Sequence, residues 1–259
     1  MMQTESVEPP VLYEVAAPAA VVRLNRPGRL NALSGLVQDR LLEAFRAADA
    51  AAEVRAVILT GTGRAFSVGA DIDELATTPE GALRQLQTTL AFLASPERVR
   101  KPVIAAVNGF ALGGGLELAL ASDVVVASDR AVFGAPEPTL GVVPGFAMQR
   151  LPQLIGVARA REILLTARQL TAAEAHGCGL VARVVPHEHL MTAAGAVVAE
   201  VARLAPLAVE LLKAAINRSL LGHDLVFAER ANAWLFTTRD AAEGIAAFRE
   251  KRRPEFHGR

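Results

Sequence analysis

The 259 residues carry 27 Lys+Arg against 27 Asp+Glu, so the formal net charge is zero, which gives no broad electrostatic hold on nucleic acid or an anionic membrane. With 52% hydrophobic residues the chain can bury one sizeable core, and 21% charged residues is ordinary for a folded protein. The single cysteine, Cys178, excludes an intrachain disulfide framework and a cysteine-based zinc site, and fits a reducing, cytoplasmic setting. Mean hydropathy is +0.30, yet the longest uncharged stretch, Pro102 to Leu116, is shorter than the roughly 18–20 residues of a membrane span. The first ten residues, MMQTESVEPP, are acidic where a secretory signal would be basic.

In chain order, the residues before about Tyr13 read as a polar leader. A short strand is expected over 21–24, broken by Arg26-Pro27-Gly28. Leu33, Val37, Leu41 and Ala44 or Phe45 recur at helical spacing and predict a helix over 31–51. A buried strand over 54–60 ends in Gly61-Thr62-Gly63, and Leu83, Leu86, Leu90 and Leu93 predict a helix over 82–94. The centre is densest: a strand over 103–107, a glycine run opening a helix over 116–121, then strands over 123–128 and 131–133. This alternation implies repeated α/β layers. After Pro186 the pattern turns helical, over 190–204, 206–221, 225–238 and 241–252.

Several motifs fail on their own chemistry. The stretch Gly109 to Gly113 lacks the Gly-Lys-Ser/Thr ending of a phosphate loop, and no dinucleotide fingerprint joins a strand to a helix. Ser67 has Ala65 where a nucleophile elbow needs glycine. His187-Glu188-His189 reads as a solvated loop and not a metal site, and Cys178, between two glycines, as a small packed side chain without a basic neighbour.

Three segments remain. They are Ala65-Phe-Ser-Val-Gly-Ala-Asp71 after a strand, Gly113-Gly-Gly-Leu-Glu117 entering a helix, and Phe133-Gly-Ala-Pro-Glu137 at a strand end. Glycines before a helix leave backbone N–H groups open, and first-turn donors have no internal partners, so such a place can hold a developing oxyanion. Glu117 follows within one turn, and Glu137 can return to the same cleft. Structural readings stand equally beside these. The helix dipole alone favours Glu117, Asp71 can be an N-cap, Glu137 can punctuate a turn, and the glycines can serve close packing.

At these residues the chain resembles the enoyl-CoA hydratase/isomerase (crotonase) family. The match runs from Leu24-Asn-Arg-Pro and Leu30-Asn-Ala-Leu through Phe66-Ser-Val-Gly-Ala-Asp-Ile72, Lys101-Pro-Val-Ile-Ala-Ala-Val-Asn-Gly109 and Ala111-Leu-Gly-Gly-Gly-Leu-Glu117 to Gln149-Arg-Leu151 and Phe248-Arg-Glu-Lys-Arg252. The resemblance implies an α/β spiral of ββα turns over residues 1–196, and a helical carboxy-terminal region over 197–259 that builds a homotrimer or homohexamer. It implies hydration of a 2-trans-enoyl-CoA to a 3-hydroxyacyl-CoA, a step of fatty acid β-oxidation chemistry. The alternatives are Δ3,Δ2-enoyl-CoA isomerisation or silent acyl-CoA binding. By the same resemblance, the N–H groups of Val68 and Gly114 form the oxyanion hole, Glu117 activates water, and Glu137 delivers the proton. Arg29, Ala70, Asp71, Ile72, Phe248 and Lys251 touch the substrate or its coenzyme A. No metal and no separate cofactor is implied, because coenzyme A arrives within the thioester, and neither nucleic acid nor membrane is an expected partner. One departure stands out: Phe146-Ala147-Met148 occupies a loop where family hydratases carry a Gly-Gly-Thr-like stretch. Bulky side chains there are expected to reshape the acyl pocket.

Overall fold

The computed structural model describes residues 8–76, 78–220 and 233–255, with 218–220 described in backbone only. Strands β1 (Val11–Ala16) and β2 (Ala19–Leu24) form an antiparallel hairpin in which Val11 faces Leu24. The polar leader therefore gives way to structure two residues earlier than the sequence suggests. β1 is an edge strand with only Val11 buried, so it lacks the apolar run that marks an inner strand. Helix α1 (Gly35–Ala50) starts at Ser34, whose side chain accepts the Val37 N–H, and it buries Val37, Leu41, Ala44, Phe45 and Ala48. The expected start at residue 31 is four residues early because Asn31 lies in the left-handed region, at φ 58°.

Beyond α1 the chain winds as a spiral in which each turn gives one strand to each of two sheets. β3 (Ala56–Gly61) is followed by β4 (Ala65–Ser67), then by α2 (Pro79–Leu93) and the single turn α3 (Ser95–Arg98). β5 (Val103–Val107) is followed by β6 (Phe110–Leu112) and α4 (Gly114–Leu120). β7 (Val124–Ser128) is followed by β8 (Val132–Gly134), then α5 (Ala147–Ile155) and α6 (Val157–Thr166). β9 (Leu170–Thr171), α7 (Ala172–Gly177) and β10 (Arg183–Val185) close the body. The larger sheet runs β1-β2-β3-β5-β7-β10 and is parallel from β2 onward; the smaller runs β4-β6-β8-β9, with β4, β6 and β8 parallel. The carboxyl ends of β4, β6 and β8 therefore stand side by side. They lead into the three segments that the sequence singles out.

The main core fills the space between the larger sheet and helices α1, α2 and α4, with Leu24, Leu41, Leu59, Phe66, Leu116 and Phe133 fully buried. Each such side chain contributes about 1.5–3 kcal/mol. On the other face α8 (Leu190–Ala202) packs Leu190, Ala194, Val197 and Val198 against Ala56, Ile58, Ile104, Ala106 and Val126. The expected division at 196/197 thus falls inside one helix that is docked along its length on the sheet.

Helix α9 (Pro206–Leu220) is two-faced. Leu207, Leu211, Leu212 and Ile216 point outward and are each more than half exposed, while Lys213 and Asn217 are buried. Lys213 Nζ bonds Asp123 Oδ2 at 2.6 Å and the Pro96 and Lys101 carbonyls at 2.8 and 3.1 Å. The last helix, α10 (Arg239–Glu250), is capped by Thr238. The expected helix over 225–238 lies mostly outside the described residues. Among the described residues no helix is long and apolar enough to cross a membrane.

Candidate active site

A cavity of about 160 Å³ opens where the three strand ends meet. Its aliphatic wall includes Leu33, Leu86, Leu90, Leu93 and Val142, and Phe236 adds an aromatic ring. Its polar end is formed by Val68, Ala70, Gly113, Gly114, Glu117 and Glu137.

The chain reaches this arrangement through tight backbone contacts. Ser67 Oγ donates to the Asn31 carbonyl at 2.8 Å and accepts the Gly69 N–H, which fixes the loop after β4. At Gly69 the backbone turns through φ 89°, and a β-carbon there would lie 2.7 Å from the Gly114 nitrogen. Gly113 has φ 52°, and a β-carbon on it would lie 2.9 Å from Glu137 Oε1. Only glycine lets these loops approach.

The Val68 amide is not free for an oxyanion. It donates to the Leu30 carbonyl at 3.2 Å. Two residues on, past the turn at Gly69, the Ala70 amide has no acceptor among the described residues, nor does Gly114 at the start of α4. Both residues line the cavity. This corrects the expected pairing of Val68 with Gly114: the paired donors open to the cavity are those of Ala70 and Gly114.

The two carboxylates differ sharply in their surroundings. Glu117 is buried, and its Oε1 accepts the N–H groups of Phe146 at 2.7 Å and Ala147 at 2.8 Å. Burial pushes its carboxyl up, and these two donors pull against that rise by stabilising the charged form. Glu137 sits at the start of a 3-10 turn, Glu137–Leu140. The residue is half-buried, but its Oε2 is sealed from solvent without a hydrogen-bond partner. Burial first, and the neighbouring Glu117 second, push its carboxyl up to about 8. Glu117 Oε1 thus has two backbone donors that favour its charged form, whereas Glu137 Oε2 has none.

The remaining site candidates divide. Ile72 lines the cavity, and its carbonyl accepts from Arg249 Nη2 at 3.1 Å, tying α10 to this loop. Asp71 is turned inward: it is buried, pairs with Arg26 at 2.8 Å and accepts the Asp73 N–H, so its carboxylate braces the loop beside Ala70. Arg29 pairs with Asp73 at 3.0 Å on the surface. Phe248 and Lys251 are exposed and do not line the cavity. Phe146 overturns an expectation. Its ring is fully buried in the main core and stays out of the cavity; its loop acts on the site through backbone N–H groups. Sequence reading missed those donors, and also Arg26 and Arg249. The Asn-Arg-Pro triplet was the available signal for Arg26.

The enoyl-CoA hydratase/isomerase family's sequence model matches residues 14–259. The chain belongs to this family. It is 41% identical to the short-chain-enoyl-CoA hydratase of Clostridium acetobutylicum over 252 residues, covering 95% of this chain and 96% of that protein. The enoyl-CoA hydratase of Bacillus anthracis superposes with a TM-score of 0.78 at 37% identity, covering 96% of this chain and all of the other. The carnitinyl-CoA hydratase of Mycobacterium avium gives a TM-score of 0.84 at 33% identity, covering 98% and 100%. The crotonase-like fold expected from the resemblance is therefore shown.

Proposed function

We propose that this chain is an enoyl-CoA hydratase that adds water across the 2,3 double bond of a 2-trans-enoyl-CoA. The observation that carries the reading is one cavity holding two unpaired amides and two carboxyls, one met by two backbone donors and the other with a sealed, unpartnered oxygen. The Ala70 and Gly114 N–H groups grip the thioester oxygen and stabilise the negative charge that develops there; each preorganised donor is worth about 10²–10³ in rate. The Glu117 carboxylate takes a proton from water as its oxygen bonds C3. The π electrons shift toward the thioester, and Glu137 gives its proton to C2, leaving a 3-hydroxyacyl-CoA. A proton then passes back from Glu117 to Glu137 to restore the resting state.

In this reading no metal or separate cofactor takes part, coenzyme A enters with the substrate, and the setting is the cytoplasm. Helices α9 and α10 belong to the region through which copies associate into a trimer or hexamer. The aliphatic cavity wall favours an uncharged acyl chain. The test is loss of the conjugated-enoyl absorbance when purified protein meets thioesters of different lengths. Hydratase activity at or below that of a Glu117→Gln, Glu137→Gln double variant would overturn the reading. A gain of absorbance from 3-enoyl substrates, without hydration, would instead identify an isomerase.

A further inference from the structure

Behind the amides that hold Glu117 lies a buried ion pair that the hydration chemistry does not use. Arg150, one turn after Phe146 in α5, sets its guanidinium 5.2 Å from the centroid of the Phe146 ring. Its Nε reaches Glu97 Oε1 at 2.8 Å, and its Nη2 reaches Oε1 and Oε2 at 2.5 and 2.6 Å. The two side chains are 4% and 5% exposed. Glu97 is held in turn, since Asn217 Nδ2 of α9 donates to its carbonyl at 3.0 Å and Lys213 Nζ donates to the adjacent Pro96 carbonyl. Neither Arg150 nor Glu97 lines the cavity. Burying such a pair is seldom favourable against apolar residues of the same size. A planar fork on a carboxylate does, however, fix orientation as well as distance.

We propose that Arg150, clamped by Glu97, is a positioning residue for the catalytic base. It fixes the first turn of α5 so that the Phe146 and Ala147 amides stay on Glu117 Oε1. The proposal rests on Glu117 being the base. Arg150 grips one end of this turn through the Phe146 ring and the other through its own backbone. Released, the turn relaxes away from Glu117, whose charged form then loses its donors. The carboxyl rises further, and a higher pH is needed to populate the carboxylate. The acid limb of the rate profile therefore moves up.

The experiment measures kcat and KM across pH for the wild type, Arg150→Met, Arg150→Lys, Glu97→Gln, Leu41→Ala and Glu117→Gln, with denaturation midpoints for each. Leu41 lies in α1, buried and far from α5 in the chain, so its truncation reports general destabilisation. Arg150→Met and Glu97→Gln are expected to lower kcat by about 10²-fold, as for a misplaced catalytic group. KM should change little and the acid limb should shift upward. Arg150→Lys, which keeps a cation on Glu97 but loses the fork, should show the same changes to a smaller degree, and carries the test if the methionine variant does not fold. Leu41→Ala should lower the midpoint and leave the limb in place. An unmoved acid limb in folded Arg150→Lys and Glu97→Gln, or an equal shift in Leu41→Ala, overturns the positioning role. Near-full hydration by Glu117→Gln overturns the underlying assignment of the base, and is distinguishable because it does not involve Arg150.

Discussion

In the proposed mechanism two residues of the same type do opposite work because their neighbours differ. Glu117 has two N–H donors, while Glu137 keeps one oxygen sealed and unpaired beside another acid. Hydration should therefore fall as pH rises through about 8, where Glu137 gives up its proton, and a rate profile checks this. Glu137→Gln should cost at least about 10²-fold in kcat while thioester binding survives. The same residue sets a stability expectation. Its folded value lies above the ordinary 4.5, so its favourable contribution is complete below that value and lost as pH rises through about 8. Glu137→Gln should accordingly melt higher than the wild type above pH 8 and show no such gain near pH 4, by thermal scans across pH. A second substitution tests the loop geometry. Gly69→Ala meets both the positive φ and the Gly114 nitrogen, so it should displace both amides and lower kcat/KM by about 10²-fold or more. The glycine run and the two acids were legible in the letters as chemical signals, whereas the choice of Gly114 within the run came from the family resemblance. The choice of Ala70 over Val68 was not legible, since it depends on how the chain turns at Gly69.

Elements defined by strong periodicity were legible, and those defined by context were not. The leucines of α2 and the apolar residues three and four apart in α1 announce their helices. β1 hides because an edge strand buries one residue, and α5 hides because Pro152 stands within it and Pro144-Gly145 just before it. Missing α5 led to the wrong role for Phe146. With its ring in the core, Phe146→Ala should destabilise the fold by about 3–5 kcal/mol, read by denaturant titration. The ratio of kcat/KM between short and long enoyl thioesters should stay as in the wild type. A changed ratio would return the ring to the acyl pocket.

For the whole molecule, the spiral explains why Ala70, Gly114 and Glu137, far apart in sequence, share one cavity: each turn returns the chain to the end of the same small sheet. That topology was implied by the resemblance and could not be read from strand patterns alone, as β4, β6 and β8 have only three residues each. The outer face of α9 presents Leu207, Leu211, Leu212 and Ile216, an exposed apolar patch that the proposed association of copies would cover. Light scattering at micromolar concentration should find a trimer or hexamer, and Leu211→Glu should yield a smaller species. Its inner face, held by Lys213 and Asn217, should keep the subunit folded in that variant, as circular dichroism would report.

The unpaired amides of Ala70 and Gly114 also give the cleft an isotopic signature. A backbone hydrogen with no acceptor, beside an open cavity, exchanges with deuterium readily, while one engaged by a carbonyl is slowed. Peptides spanning residues 70 and 114 should therefore label early in the free protein and late when an unreactive acyl thioester occupies the cleft. The Val68 position, already bonded to Leu30, should label slowly in both states. Its silence would locate the oxygen of the bound thioester at one end of a two-residue interval, without any measurement of turnover.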